Sequence, residues 1–125
     1  MILHHIGIAC KDIGLEIQKI KKIHDVISIS EIFYDKNQNA NLCLIKIKNS
    51  LSIELISGKQ VENLIKKKIS YYHLCYEIQN IESEIKRLVN LGGIILSEPK
   101  PAILFDNRKV AFLLLSYGII ELLEI

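Results

Sequence analysis

The chain says the same thing twice. Displaced by 68 residues, His5 falls on His73, Asp12 on Asn80, and Ile13, Ile17 and Ile20 on Ile81, Ile85 and Leu88. Displaced by 67, CLIKIKNSLSIELI at 43–56 falls on VAFLLLSYGIIELL at 110–123, which sets Glu54 on Glu121. A period of this length marks a supersecondary unit used twice. Whatever fold the first half adopts, the second half must be able to adopt as well.

Each half reads as β-α-β-β-β. A strand rich in β-formers opens it, HHIGIAC in one half and YYHLCYEI in the other. A short polar residue, Asp12 or Asn80, then stands where a helix N-cap belongs. Apolar residues at spacings of four and three follow, over 13–23 and 81–91, and such spacing makes one buried helical stripe. Gly92-Gly93 stops the second helix. Strands are expected over 28–35, 40–48 and 51–57 in the first half. In the second they are expected over 93–97, 102–105 and 109–124, the last with a turn at Tyr117-Gly118. Pro99-Lys100-Pro101 reads as a turn between the first two of these. The architecture expected is α+β, one domain over 1–125: module one 1–58, a lysine-rich linker 59–69 with some helical character, and module two 70–125.

Composition narrows the function. Half of the 125 residues are hydrophobic and a quarter are charged, which is the balance of a globular chain rather than a disordered one. The net charge is only +2 and the lysines are scattered apart from Lys66, Lys67 and Lys68, so nothing calls for nucleic acid. No apolar run approaches the ~20 residues that cross a bilayer, and no signal peptide is expected. Cys10, Cys43 and Cys75 form no pair at metal or disulfide spacing. The expected compartment is a reducing cytoplasm, with these thiols as small core residues.

Strand alternation singles out four residues. His5, Gly7 and Ala9 share one face of the opening strand, opposite Ile6 and Ile8, while His73, Cys75 and Glu77 share a face in the second half. Glu54 sits inside SIELI and Glu121 inside IIELL, each opposed to its apolar neighbours. An unpaired buried carboxylate costs several kcal/mol or shifts its pKa until it is neutral. Two carboxylates and two imidazoles at equivalent places in a repeat call for a common partner, and a divalent cation is the economical one. Two nitrogens and two oxygens suit a borderline first-row metal: Zn, Co, Ni, Mn or Fe. His24, at the end of the first helix, serves the helix dipole.

The pieces HHIGIACKDI, SIELIS, HLCYEIQNI and GIIELLE resemble the vicinal oxygen chelate superfamily, which includes glyoxalase I, extradiol dioxygenases and bleomycin-resistance proteins. Within it the chain looks most like the methylmalonyl-CoA epimerase branch, through its opening, through EIFYDKNQNANLCLIKI and through EPKP…NRKVAFL. The resemblance implies tandem βαβββ modules whose mixed, curled sheet surrounds a metal-binding cleft. It implies metal ligands His5, Glu54, His73 and Glu121, with His5 preferred to His4 and Glu121 to Glu124. It also implies a homodimer. The chain departs from the branch at Leu114-Leu115 and at the end of module one, where Ser57-Gly58 follows ELI without a proline.

On this resemblance the expected activity is a metal-dependent isomerase or epimerase. It would abstract a proton beside the carbonyl of a small acyl thioester or 2-oxo compound, with Glu121 or Glu54 as the catalytic base. A glyoxalase-type lyase acting on a thiol adduct and a non-catalytic protein that sequesters a ligand are the alternatives. A full set of four ligands favours an enzyme. The expected partner is a small molecule, with Lys66, Lys67, Lys68, Lys100 and Arg108 the candidates for the phosphates of a CoA-like carrier. Glu77 is a weaker candidate for a second base.

Overall fold

A computed structural model describes all residues, 1–125. The chain divides into two compact units, His5–Tyr72 and Met1–His4 together with His73–Ile125.

The elements of the first half are β1 (Ile2–Ala9), α1 (Ile13–Ile23), β2 (Val26–Ile29), β3 (Phe33–Asp35), β4 (Ala40–Ile47) and β5 (Ser52–Ser57). A 3-10 turn, Lys59–Val61, and a short helix α2 (Glu62–Lys66) follow. The second half contains β6 (Tyr71–Ile78), α3 (Ile81–Asn90), β7 (Ile94–Ala102), β8 (Arg108–Leu115) and β9 (Gly118–Glu124), with a 3-10 turn at Ile103–Phe105. The architecture is α+β, as the repeat implies.

Within His5–Tyr72 the strand order is β2-β4-β5-β1, with β3 also on β4. Within the other unit it is β6-β9-β8-β7. In both, the opening strand lies parallel to the last one, β1 to β5 and β6 to β9, while the remaining pairs are antiparallel. A parallel pair needs a long crossover. The helix and the intervening strands provide it.

The helices begin where the sequence places them, and for the reason it gives. Asp12 Oδ1 accepts the Leu15 N–H at 3.0 Å, and Asn80 Oδ1 accepts the Ser83 N–H at 2.9 Å. Each satisfies one donor that the first turn would otherwise leave open. At the far end of α3, Gly92 takes φ +102° and the Gly93 N–H returns to the Leu88 carbonyl at 2.9 Å. A side chain on Gly93 would meet that carbonyl oxygen at 2.9 Å, closer than real Cβ contacts come.

Each helix buries its stripe on its own sheet. Ile81, Ile85 and Leu88 of α3 pack with Ile78, Ala111, Leu113, Ile120 and Leu122. Ile13 and Ile20 of α1 pack with Cys43, Ile45, Ile47 and Leu55. Burying one such side chain is worth roughly 1.5–3 kcal/mol, so these stripes outweigh the modest helix propensity of isoleucine.

Two strand expectations need correction. The stretch 28–35 is not one strand, because it breaks between β2 and β3. Ser30 causes this: its Oγ accepts the Leu44 N–H at 2.9 Å while its own N–H donates to the Leu44 carbonyl. A side chain thus takes a position in the ladder that backbone would fill, and Glu31 and Ile32 leave the sheet. The second correction concerns 93–105. One strand, Ile94–Ala102, runs through Pro99 and Pro101, and the residues expected as a further strand form the 3-10 turn. Because β7 pairs with β8 alone, it is an edge, and an edge tolerates residues without an N–H. Register shifts at Ile95/Ser97 and Ser97/Lys100 absorb the irregularity.

Asn80→Ala and Asp12→Ala should each lower stability by about 1 kcal/mol, read as a smaller urea midpoint at unchanged slope. A loss below ~0.3 kcal/mol would show that the caps do not anchor the helices.

Candidate metal centre

In the unit His5–Tyr72, β1 and β5 pair with Gly7 opposite Glu54 and His5 opposite Ser52. Glu54 therefore stands on the His5 face, beside a residue with no side chain. His5 Nε2 and Glu54 Oε1 are 3.7 Å apart, and both side chains are buried. The opposite face of β5 presents Ile53 and Leu55 to the core under α1. The carboxylate is thus held inside the sheet by the same alternation that packs the helix.

The other unit repeats the design. β6 and β9 pair with Cys75 opposite Glu121, which is the Gly7–Glu54 relation moved along the repeat. His73 Nε2 and Glu121 Oε1 are 3.6 Å apart, again both buried. Phe112, opposite Glu121 on β8, sets its ring edge-on to His73 with centroids 5.3 Å apart and thereby limits how the imidazole can turn.

The donor chemistry fits a divalent ion. The two separations exceed the 2.7–3.2 Å of a hydrogen bond. Two atoms each about 2.1 Å from one cation, a tetrahedral angle apart, stand about 3.4 Å from each other. Imidazole nitrogen and carboxylate oxygen are ligands that zinc and its first-row neighbours accept. A buried carboxylate beside an imidazole, with both out of water, is also a costly thing to keep without a function.

The neighbouring titratable groups take other roles. The ring of His4 packs edge-on against Phe105, centroids 5.7 Å apart. Glu124 accepts the Ile81 N–H at 2.8 Å and so holds the first turn of α3. Sequence reasoning did not assign it this task, since the contact joins residues at opposite ends of the module. Glu77 accepts a hydrogen bond from Arg108 Nη1 at 3.2 Å, so it sits in an ion pair some ~13 Å along the strand from His73. Arg108 also lies over the ring of Phe105, 6.0 Å from its centroid. Lys66, Lys67, Lys68 and Lys100 are exposed.

The cysteines are buried and form no disulfide. Burial, then the carboxylates of Glu16 and Asp12 and the Cys43 thiol, pushes the Cys10 thiol up to about 11. Burial also raises Cys43, against an opposing hydrogen bond from Ser30.

Two repeated units, each carrying a buried imidazole–carboxylate pair at the same place, define the class of protein. The family model described as glyoxalase/bleomycin resistance protein/dioxygenase superfamily matches residues 4–112, and the chain belongs to that superfamily. Solved structures share its fold at low identity. A methylmalonyl-CoA epimerase from Mycobacterium tuberculosis is 20% identical, with a TM-score of 0.82, covering 98% of this chain and 86% of its own. A hypothetical protein from Bacillus halodurans is 21% identical, with a TM-score of 0.75 and coverages of 98% and 93%. A variant of Streptomyces coelicolor methylmalonyl-CoA epimerase, in complex with 2-nitronate-propionyl-CoA, is 16% identical, with a TM-score of 0.77 and coverages of 99% and 96%. No curated sequence matches the chain. No helix is long and apolar enough to cross a membrane.

With its thiol near 11, Cys10 should be about one part in a thousand thiolate at pH 8. Aromatic disulfide reagents should leave it unmodified in the native chain at that pH and react with it fully in denaturant. Rapid native labelling of Cys10, located by peptide mapping, would contradict the burial described.

Proposed function

We propose that this protein is a metal-dependent isomerase that moves a proton on the carbon next to the carbonyl of a small acyl thioester. In this reading His5, Glu54, His73 and Glu121 together hold one divalent cation. The observation that carries it is the repeated pair. The same buried imidazole–carboxylate arrangement occurs once in each unit, at 3.7 and 3.6 Å, on the strand face turned away from the helix. The thioester is suggested by relatives of the same fold, whose structures are described with methylmalonyl-CoA and 2-nitronate-propionyl-CoA.

A bound divalent ion would supply positive charge beside the substrate's carbonyl oxygen, favouring loss of the neighbouring C–H proton. The remaining work falls to the chain. His5 and His73 each offer a ring nitrogen from a fixed position. Phe112 restrains His73, and an orientation fixed in advance costs nothing when the reaction occurs. A carboxylate has two oxygens, so Glu121 can serve as a ligand through one and accept the substrate proton on the other. Glu54, its repeat mate, would ligate the ion in the same way and, in its protonated form, give a proton back to that carbon, so that one proton leaves and one arrives. The apolar strands around both acids keep water away from them. The buried, unbridged cysteines suit a reducing cytoplasm.

Purified protein should carry close to one equivalent of a first-row divalent metal, by plasma emission analysis. It should also place solvent deuterium on the α-carbon of methylmalonyl-CoA in heavy water. Glu121→Ala should keep the circular dichroism spectrum, lose the metal and lower exchange at least ~100-fold. Exchange at the wild-type rate in that variant would remove Glu121 from the reaction. Tight thioester binding with no exchange in the metal-loaded wild type would replace catalysis with sequestration.

A further inference from the structure

Cys75 differs from the other two cysteines. Cys10 and Cys43 sit in the aliphatic cluster under α1. Cys75 lies on β6 between Leu74 and Tyr76, and Tyr76 packs against the cluster under α3. By alternation Cys75 takes the opposite strand face, the one that carries His73. It is wholly buried, yet it is no part of the cluster under α3. Its counterpart 68 positions earlier is Gly7, so the repeat itself needs no side chain at this place. A thiol stands where packing does not call for one.

Beside that thiol is an imidazole. A ring nitrogen of His4 and Cys75 Sγ lie within 4.8 Å of each other, and both residues belong to the unit of Met1–His4 and His73–Ile125. The His4 ring is half-buried and held edge-on by Phe105. A sulfur about 2.3 Å and a nitrogen about 2.1 Å from one ion stand at most about 4.4 Å apart, when the ion lies on the line between them. A pair already within 4.8 Å reaches that geometry with a small turn of either side chain. The repeat equivalents of His4 and Cys75 are Tyr72 and Gly7, which offer neither a ring nitrogen nor a sulfur. The pair therefore occurs once, unlike the imidazole–carboxylate pairs.

We propose that His4 and Cys75 form a second metal site, for a soft monovalent d10 cation, Cu(I). Thiolate sulfur and imidazole nitrogen are donors that this ion takes. Two donors in line satisfy it, whereas zinc and its divalent neighbours call for four or more. The thiolate is the form that binds, so the ion displaces the thiol proton to solvent. The site uses none of the carboxylates and depends on no reading of the reaction.

Titration of the full chain against the Cu(I)–bicinchoninate complex, under reductant and without air, tests this. The wild type should withdraw close to one equivalent of copper from the chelator. Cys75→Ala should abolish the withdrawal, and His4→Ala should raise the copper dissociation constant at least ~10-fold. Cys10→Ala should bind copper as the wild type does. So should Glu121→Ala, which separates this site from the proposed divalent centre. X-ray absorption of the copper-loaded wild type should show one sulfur and one nitrogen neighbour, a measurement that needs no variant to fold. A wild type that leaves the copper with the chelator overturns the proposal. So does copper held as tightly without Cys75 or without His4, or a copper spectrum with no sulfur in it.

Discussion

The cost of taking a carboxylate out of water is the constraint on which the rest of this protein turns. Glu54 and Glu121 are almost wholly buried, and each is flanked along its strand by aliphatic residues, Ile53 and Leu55 in one case and Ile120 and Leu122 in the other. Hydrophobic burial alone would have put valine there. Each acid instead stands beside an imidazole drawn from the opening strand of its own unit. The two faces of the last strand therefore do opposite things: isoleucine and leucine press on the helix, while glutamate turns the other way. Strand alternation lets one segment stabilise the fold and carry the chemistry without either task displacing the other.

Duplication multiplies this solution. The relation between Gly7 and Glu54 across β1 and β5 recurs between Cys75 and Glu121 across β6 and β9. The repeats have nevertheless diverged where the chemistry does not hold them. Leu44 lies opposite Glu54, whereas Phe112 lies opposite Glu121 and leans its ring edge toward His73. The first module's second strand is split by Ser30, while its counterpart continues through two prolines. Such drift makes the sheet edges unlike, and with them the surfaces offered to other molecules.

The sequence determined a great deal unaided. The period near 68, the caps at Asp12 and Asn80, the glycine stop at Gly92-Gly93 and the apolar stripes of both helices were all legible, because each is set by neighbours within a turn or a strand. Alternation also told which face each of His5, Glu54, His73 and Glu121 takes within its strand. Tertiary structure alone decided the rest. The break at Ser30 depends on Leu44, fourteen positions on; the Glu77–Arg108 pair and the hold of Glu124 on α3 span longer intervals still. Pro99 and Pro101 read as a turn until β7 proved to be an edge, where a missing N–H costs nothing. The physical reason is register. Local rules fix the direction of a side chain, but what it meets is set by how strands slide past one another, and that is settled only when the sheet assembles.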